Sequence, residues 1–210
     1  MTSSSIIPVS VLTGFLGAGK TTLLNYLLKD PALANAAVII NEFGEVGLDH
    51  LLVETADSNV FEMSSGCLCC TIRGDLVDTL ADLVQKRDTG AIKAFDRVII
   101  ETTGLADPAP VLQTLMSHPE LLQRYRLEGV VTLVDAVNGP GTLDAHDEAV
   151  RQVAVADKLV VSKADLLSGS DGETALHDII ARVRRLAPAA RILTTKDHED
   201  TGNCGNRVVD

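Results

Sequence analysis

Residues Gly14-Phe-Leu-Gly17-Ala18-Gly19-Lys20-Thr21-Thr22 combine three closely spaced glycines with a lysine and hydroxyl side chains. Glycines at 14, 17 and 19 let a backbone wrap closely around phosphate oxygens, and the amides that follow open a helix whose N-terminus favours negative charge. Lys20 would reach the β and γ phosphates of a nucleoside triphosphate, and the Thr21 hydroxyl would ligate Mg²⁺. Further along, Cys67-Leu-Cys69-Cys70 places three thiols in four positions. A nearby helix start and the adjacent Arg73 favour the thiolate forms. Three thiolates suit Zn²⁺, Co²⁺ or Cu⁺ and leave room for one more ligand, and no Cys or His follows within ten residues to close the shell. An incomplete shell suits metal transfer better than a structural site.

Three other segments carry polar groups beside apolar runs. Ser162-Lys163-Ala164-Asp165 follows Leu159 to Val161. An Asp there can accept from both the N1 and N2 donors of guanine, and the Lys163 stem can pack over the base, which favours GTP over ATP. Glu101-Thr102-Thr103-Gly104 follows Val98 to Ile100. Glu101 would act through the water shell of Mg²⁺ or orient the attacking water, and Gly104 would sense the terminal phosphate. Asn41-Glu42-Phe43-Gly44-Glu45 offers Glu42 either to Mg²⁺ or a transition metal, or to solvent as an ordinary loop carboxylate. The pair Asp107-Pro108 reads as a helix start. His50, His118, His146, His177 and His198 stand singly and read as surface residues. Cys204, in a polar stretch, receives no role.

Such residues need a scaffold that brings loop ends together. Apolar runs at Ile6–Leu12, Ala37–Ile40, Val60–Met63, Arg97–Ile100, Gly129–Val134, Lys158–Val161 and Arg191–Thr194 predict strands. Helical patterns lie between them at Lys20–Lys29, Ile72–Arg87, Ala109–Met116, Leu143–Val153 and Glu173–Leu186. The alternation predicts right-handed crossovers and a three-layer α/β/α P-loop NTPase with a mostly parallel sheet, its ligand loops at the carboxyl ends of the strands. With 46% hydrophobic residues, 3% aromatic and no Trp among 210, the core is one of Val, Ile, Leu and Ala. The pattern assigns residues 1–195 to one domain and 196–210 to a polar tail.

A formal net charge of −11 argues against nucleic acid or anionic membranes as partners, so a nucleotide must be captured locally. Met1 to Ser5 lacks basic residues and Ile6 to Leu12 is too short to span a bilayer, which reads as a cytoplasmic chain. Four cysteines, three of them clustered, make a poor disulfide framework and fit a reducing compartment.

Taken together, Gly14 to Thr22, Asn41 to Gly47, Cys67 to Asp75, Glu101 to Pro108 and Ser162 to Asp165 resemble the CobW-type GTPases, relatives of the nickel-insertion GTPases HypB and UreG. The resemblance runs from Ile6 to Thr195. It implies a SIMIBI-class fold, slow GTP hydrolysis to GDP and phosphate, and a metallochaperone that loads zinc, or another thiophilic divalent metal, in a GTP-dependent way and passes it to a client metalloprotein. By position it implies Gly14, Gly17, Ala18, Gly19, Lys20, Thr21 and Thr22 for phosphate and Mg²⁺, with Glu42, Glu101 and Gly104 in the switch regions. It further implies Cys67, Cys69 and Cys70 for metal, and Ser162, Lys163 and Asp165 for the base. Ser162 stands where many GTPases have Asn, and where the resemblance implies continuation into a smaller C-terminal domain the sequence stops at Asp210, which reads either as a GTPase-domain-only member or as a truncated product. Rival readings are a nickel or cobalt insertase, a regulatory GTPase with a structural zinc, and a small-molecule kinase. A nucleotide- or metal-dependent homodimer stays open.

Overall fold

A computed structural model of the chain describes residues 6–42, 59–64 and 71–195, with the backbone alone at 41–42, 59–64 and 71–75. Seven strands form one sheet: β1 (Ile7–Gly14), β2 (Ala36–Glu42), β3 (Asn59–Ser64), β4 (Arg97–Thr102), β5 (Tyr125–Asp135), β6 (Lys158–Ser162) and β7 (Arg191–Thr194). Their order across the sheet is β3-β2-β4-β1-β5-β6-β7, and every neighbouring pair is parallel. The helices are α1 (Lys20–Leu27), α2 (Thr71–Asp88), α3 (Ala109–Ser117), α4 (Pro119–Leu122), α5 (Gly139–Ala145), α6 (Asp147–Ala154) and α7 (Gly169–Leu186). No helix among the described residues is long and apolar enough to cross a membrane.

Continuous apolar strands are needed because both faces of the sheet are covered. In β4, Val98 and Ile100 join Leu80, Leu83 and Leu115 on one face, whereas Ile99 packs with Leu24, Leu27 and Leu33 on the other. The first face carries α2 to α4 over β1, β2 and β4, and α5 to α7 over β5 and β6. The opposite face is covered, among the described residues, by α1 and the short 3-10 turn Pro31–Leu33.

Every apolar run read as a strand is one. The helix expected over Leu143–Val153 is instead two, because His146 adopts an extended backbone (φ −133°, ψ 112°) that cannot continue the i to i−4 ladder. Its ring stacks on Phe15 with centroids 4.5 Å apart, so a tertiary contact with the glycine loop holds the break. Asp147 and Glu148 then suit the fresh N-terminus of α6. α4, not anticipated, is a single turn begun by Pro119. β5 starts at Tyr125, ahead of the expected Gly129, because a bulge opposite Val9 and Ser10 absorbs Glu128 and lets pairing with β1 continue.

Parallel pairing sends all carboxyl ends to one edge. Leu12 of β1 pairs with Glu101 of β4, Gly14 pairs with Leu133 of β5, and Asp135 pairs with Ser162 of β6. The loop leaving β1 is therefore flanked by the ends of β4 and β5. At this point the chain has turned outward to β2 and β3 on one side and β5 to β7 on the other, the crevice where open α/β sheets bind ligands.

Candidate nucleotide site

Gly14 ends β1 with φ +141°, and a Cβ there would lie 2.6 Å from the Leu133 carbonyl oxygen of the neighbouring strand. Gly17 and Gly19 have φ +74° and +93°, the left-handed region that other residues resist. Gly19 is also the N-cap of α1, which has no side-chain cap and no acidic residue in its first turn. The first amides of α1 are thus not claimed by a capping side chain, and the helix dipole favours an anion there.

Lys20, buried at 8% exposure, donates from Nζ to the Gly14 carbonyl at 3.0 Å, so its ammonium lies over the loop. The Thr21 Oγ1 donates to Glu101 Oε1 at 3.1 Å, bringing a hydroxyl and a carboxylate from separate elements into contact. Two hard oxygen donors beside a glycine cradle fit Mg²⁺ with a triphosphate. The loop after β4 is tied to β1 by a Thr102 to Thr13 hydroxyl bond of 2.8 Å. Gly104 then presses on the glycine loop: an added Cβ would sit 2.5 Å from both Leu16 N and Leu16 Cα. Thr103 Oγ1 is buried with no hydrogen-bond partner, an acceptor and donor left for something that enters the site.

On the other side of the loop, Ser162 Oγ donates to the Ala18 carbonyl at 2.7 Å. That bond gives a reason for serine at this position: its short hydroxyl locks the end of β6 to the phosphate loop. Lys163 takes a left-handed conformation (φ 57°), and exposed Asp165 follows in a 3-10 turn. A groove of about 480 Å³ is lined by Ala18, Gly19, Tyr26, Lys163, Asp165 and Thr195, continuous with the cradle through Ala18 and Gly19. Thr22 also borders it.

Residues 8–193 match the CobW/HypB/UreG nucleotide-binding domain. The chain belongs to this family. It is 43% identical over 182 residues to the zinc chaperone YjiA of Escherichia coli K12, an alignment covering 87% of this chain and 56% of that protein. The crystal structure of Zn(II)-bound YjiA GTPase from E. coli superposes with a TM-score of 0.72 at 35% identity, covering 98% of this chain and 61% of that one. A Zn(II)-bound YjiA variant with one glutamate and two cysteines replaced by alanine superposes with the same scores. The chain thus spans little more than half the length of the curated relative it matches.

In this CobW-family domain the sequence-derived residues Gly14 to Thr22, Glu101, Gly104, Ser162, Lys163 and Asp165 converge on one edge of the sheet. Glu42 is the last residue of β2, and its side chain lies outside the described residues, as do Cys67, Cys69, Cys70, residues 43–58 and 196–210, and with them His50, His198 and Cys204. Among the described residues no group of three His, Cys, Asp or Glu side chains is arranged to hold a metal.

Two residues of the CobW-family domain escape sequence reading. One is Gln152 on α6, whose side-chain amide bonds the turn after β4. Asp135 ends β5 and receives four hydrogen bonds: from Val137 N at 2.8 Å, Asn138 N and Asn138 Nδ2 at 3.0 Å each, and Lys163 Nζ at 2.7 Å. It therefore anchors the head of Lys163, leaving the stem to wall the groove. Burial pushes its carboxyl up, but the bonds from Lys163, Asn138 and Val137 outweigh it and hold the group below its usual 3.8. A depressed folded-state value means stabilisation that is present above pH 3.8 and lost as pH falls through the folded value beneath it. Asp135→Asn should therefore lower the urea midpoint at pH 7, with the gap from the parent narrowing below pH 3.8. Parallel urea titrations across that range check it.

Proposed function

We propose that this domain is a GTP-hydrolysing metallochaperone of the cytoplasm that takes zinc on Cys67, Cys69 and Cys70 when GTP is bound and passes it to a client protein. The observation that supports the reading is the strand order: β1, β4, β2 and β3 are parallel neighbours whose carboxyl ends lie at one edge of the sheet. In sequence, the phosphate loop, the Glu101 to Gly104 switch, Glu42 and the cysteine cluster come at or directly after those four strand ends. Glu42 pairs with Ser64, and Cys67 is three residues further on, which chain reach limits to about 11 Å from the strand end.

The chain's own groups divide the work. Lys20 leaves its Gly14 contact for the phosphate oxygens, the α1 amides receive the β phosphate, and Asp165 accepts from the guanine edge. Thr21 and Glu101 would hold Mg²⁺, with Glu42 beside them. Bound Mg²⁺ supplies neutralisation of charge on the β and γ oxygens. Glu101 orients the attacking water, and Gly104 reads the γ phosphate through its amide. Ordering of the Glu42 and Gly104 loops around GTP draws the neighbouring thiolates into a tight site, and their relaxation after hydrolysis releases the metal.

Coupling of this kind is reciprocal. Zinc should bind at least about tenfold tighter with a non-hydrolysable GTP analogue than with GDP, and zinc should tighten the analogue by the same factor. Replacing Cys67, Cys69 and Cys70 with serine should abolish that difference. Zinc is present in the YjiA variant that lacks two cysteines, so the decisive readout is dependence on nucleotide state, not the presence of zinc. Competition titrations with a chromophoric chelator measure it, and equal zinc affinity in the two states defeats the reading.

A further inference from the structure

Gln152 lies on α6, is 1% exposed, and carries no charge, yet it joins three parts of the nucleotide edge. Its Nε2 donates to the Gly104 carbonyl at 3.1 Å and to the Ala106 carbonyl at 3.0 Å. Its backbone carbonyl accepts from Thr132 Oγ1 of β5 at 2.8 Å. Both amide protons face acceptors, which fixes the orientation of the side-chain amide, since a flip would set its oxygen against two carbonyls. The buried Oε1 has no hydrogen-bond partner, so what the side-chain amide contributes comes through its nitrogen.

The segment it grips is the turn closed by the Ala106 N to Thr103 carbonyl bond of 3.2 Å, and this turn presses Gly104 onto Leu16. Beside it, Arg151 Nε meets Asp107 Oδ2 at 3.0 Å, but both groups are substantially exposed and contribute little. Bonds to both the Gly104 and Ala106 carbonyls hold the turn to α6 at two points, which fixes where Gly104 and its amide stand over the loop. α6 is seated on the sheet chiefly by Ala149 and Val153, packed with Val134, Leu159 and Val161, with the Thr132 bond as an addition, so the anchor is referenced to β5, the strand next to β1.

We propose that Gln152 is a positioning residue that presets the Thr103–Ala106 turn for the γ phosphate, and so sets the preference of this domain for GTP over GDP. It touches no substrate and acts through Gly104. The inference rests on the reading of Gly104 given above, and the test separates the two.

Gln152→Met keeps the volume and removes both donors. With fluorescent nucleotides, its preference for a non-hydrolysable GTP analogue over GDP should fall about tenfold while GDP affinity stays within about twofold of the parent. Thr132→Val removes the other bond of the same residue, so it should lower thermal stability and leave the preference intact. Gln152→Glu, buried and facing two carbonyls, is held in its protonated form at neutral pH and keeps one donor, so it should retain part of the preference that the methionine variant loses. An unchanged preference in Gln152→Met, or equal loss of affinity for both nucleotides, overturns the assignment and leaves Gly104 untouched. Equal binding of both nucleotides by the parent protein removes the role of Gly104 itself, and the inference with it.

Discussion

Lys20→Ala should lower GTP turnover at least about a hundredfold, with secondary structure and melting temperature close to the parent. The ammonium is buried against the Gly14 carbonyl, at the mouth of a loop whose glycine conformations and uncapped helix already favour phosphate. In the proposed reaction, removing it deletes a charge that would act where negative charge is largest on the transferring phosphoryl group. The fold should tolerate the change, because the core of α1 is carried by Leu24 and Leu27. Phosphate release under single-turnover conditions checks the rate, and circular dichroism checks the fold. Turnover within about threefold of the parent would remove Lys20 from the mechanism.

Gly104→Ala should lower turnover roughly ten- to a hundredfold while leaving GDP affinity within about twofold. The added methyl would sit 2.5 Å from Leu16 N and Cα and 2.9 Å from its Cβ, and two of those three atoms are backbone of the phosphate loop. Neither can swing aside as a flexible side-chain end would. The turn must lift from Leu16, carrying the Gly104 amide with it, and displacement by about an ångström is enough to lose a well-oriented contact. GDP has no γ phosphate to feel the loss. Comparing kcat with the GDP dissociation constant for both proteins measures the split, and parallel loss in both would mean that the methyl disrupts the whole loop.

These expectations draw on different depths of information. Lys20, Thr21, Glu101, Gly104 and Asp165 are legible as a line of residues because each follows an apolar run and has a chemistry that its type and spacing reveal. Asp135 and Gln152 are not legible in that way. Asp135 reads as a strand-end carboxylate, and only the parallel pairing of β5 with β6 brings Lys163 to it. Gln152 sits 48 residues from Gly104 in the chain, on a helix whose pattern shows merely an amphipathic segment. The break at His146 was hidden for the same reason: the local pattern favours one helix, and a ring contact with Phe15 decides otherwise.

The alternation of apolar runs with helical periods, together with glycine, lysine and hydroxyl residues at the first turn, already determined a parallel α/β sheet and a phosphate loop, because side-chain period and backbone freedom are local properties. Tertiary structure alone decided which strand ends are neighbours, that Gly104 rests on Leu16, that Gln152 holds the turn at Gly104 and that Asp135 holds Lys163. Those contacts depend on the order β3-β2-β4-β1-β5-β6-β7, and a strand's neighbour is set by packing between residues far apart in the chain.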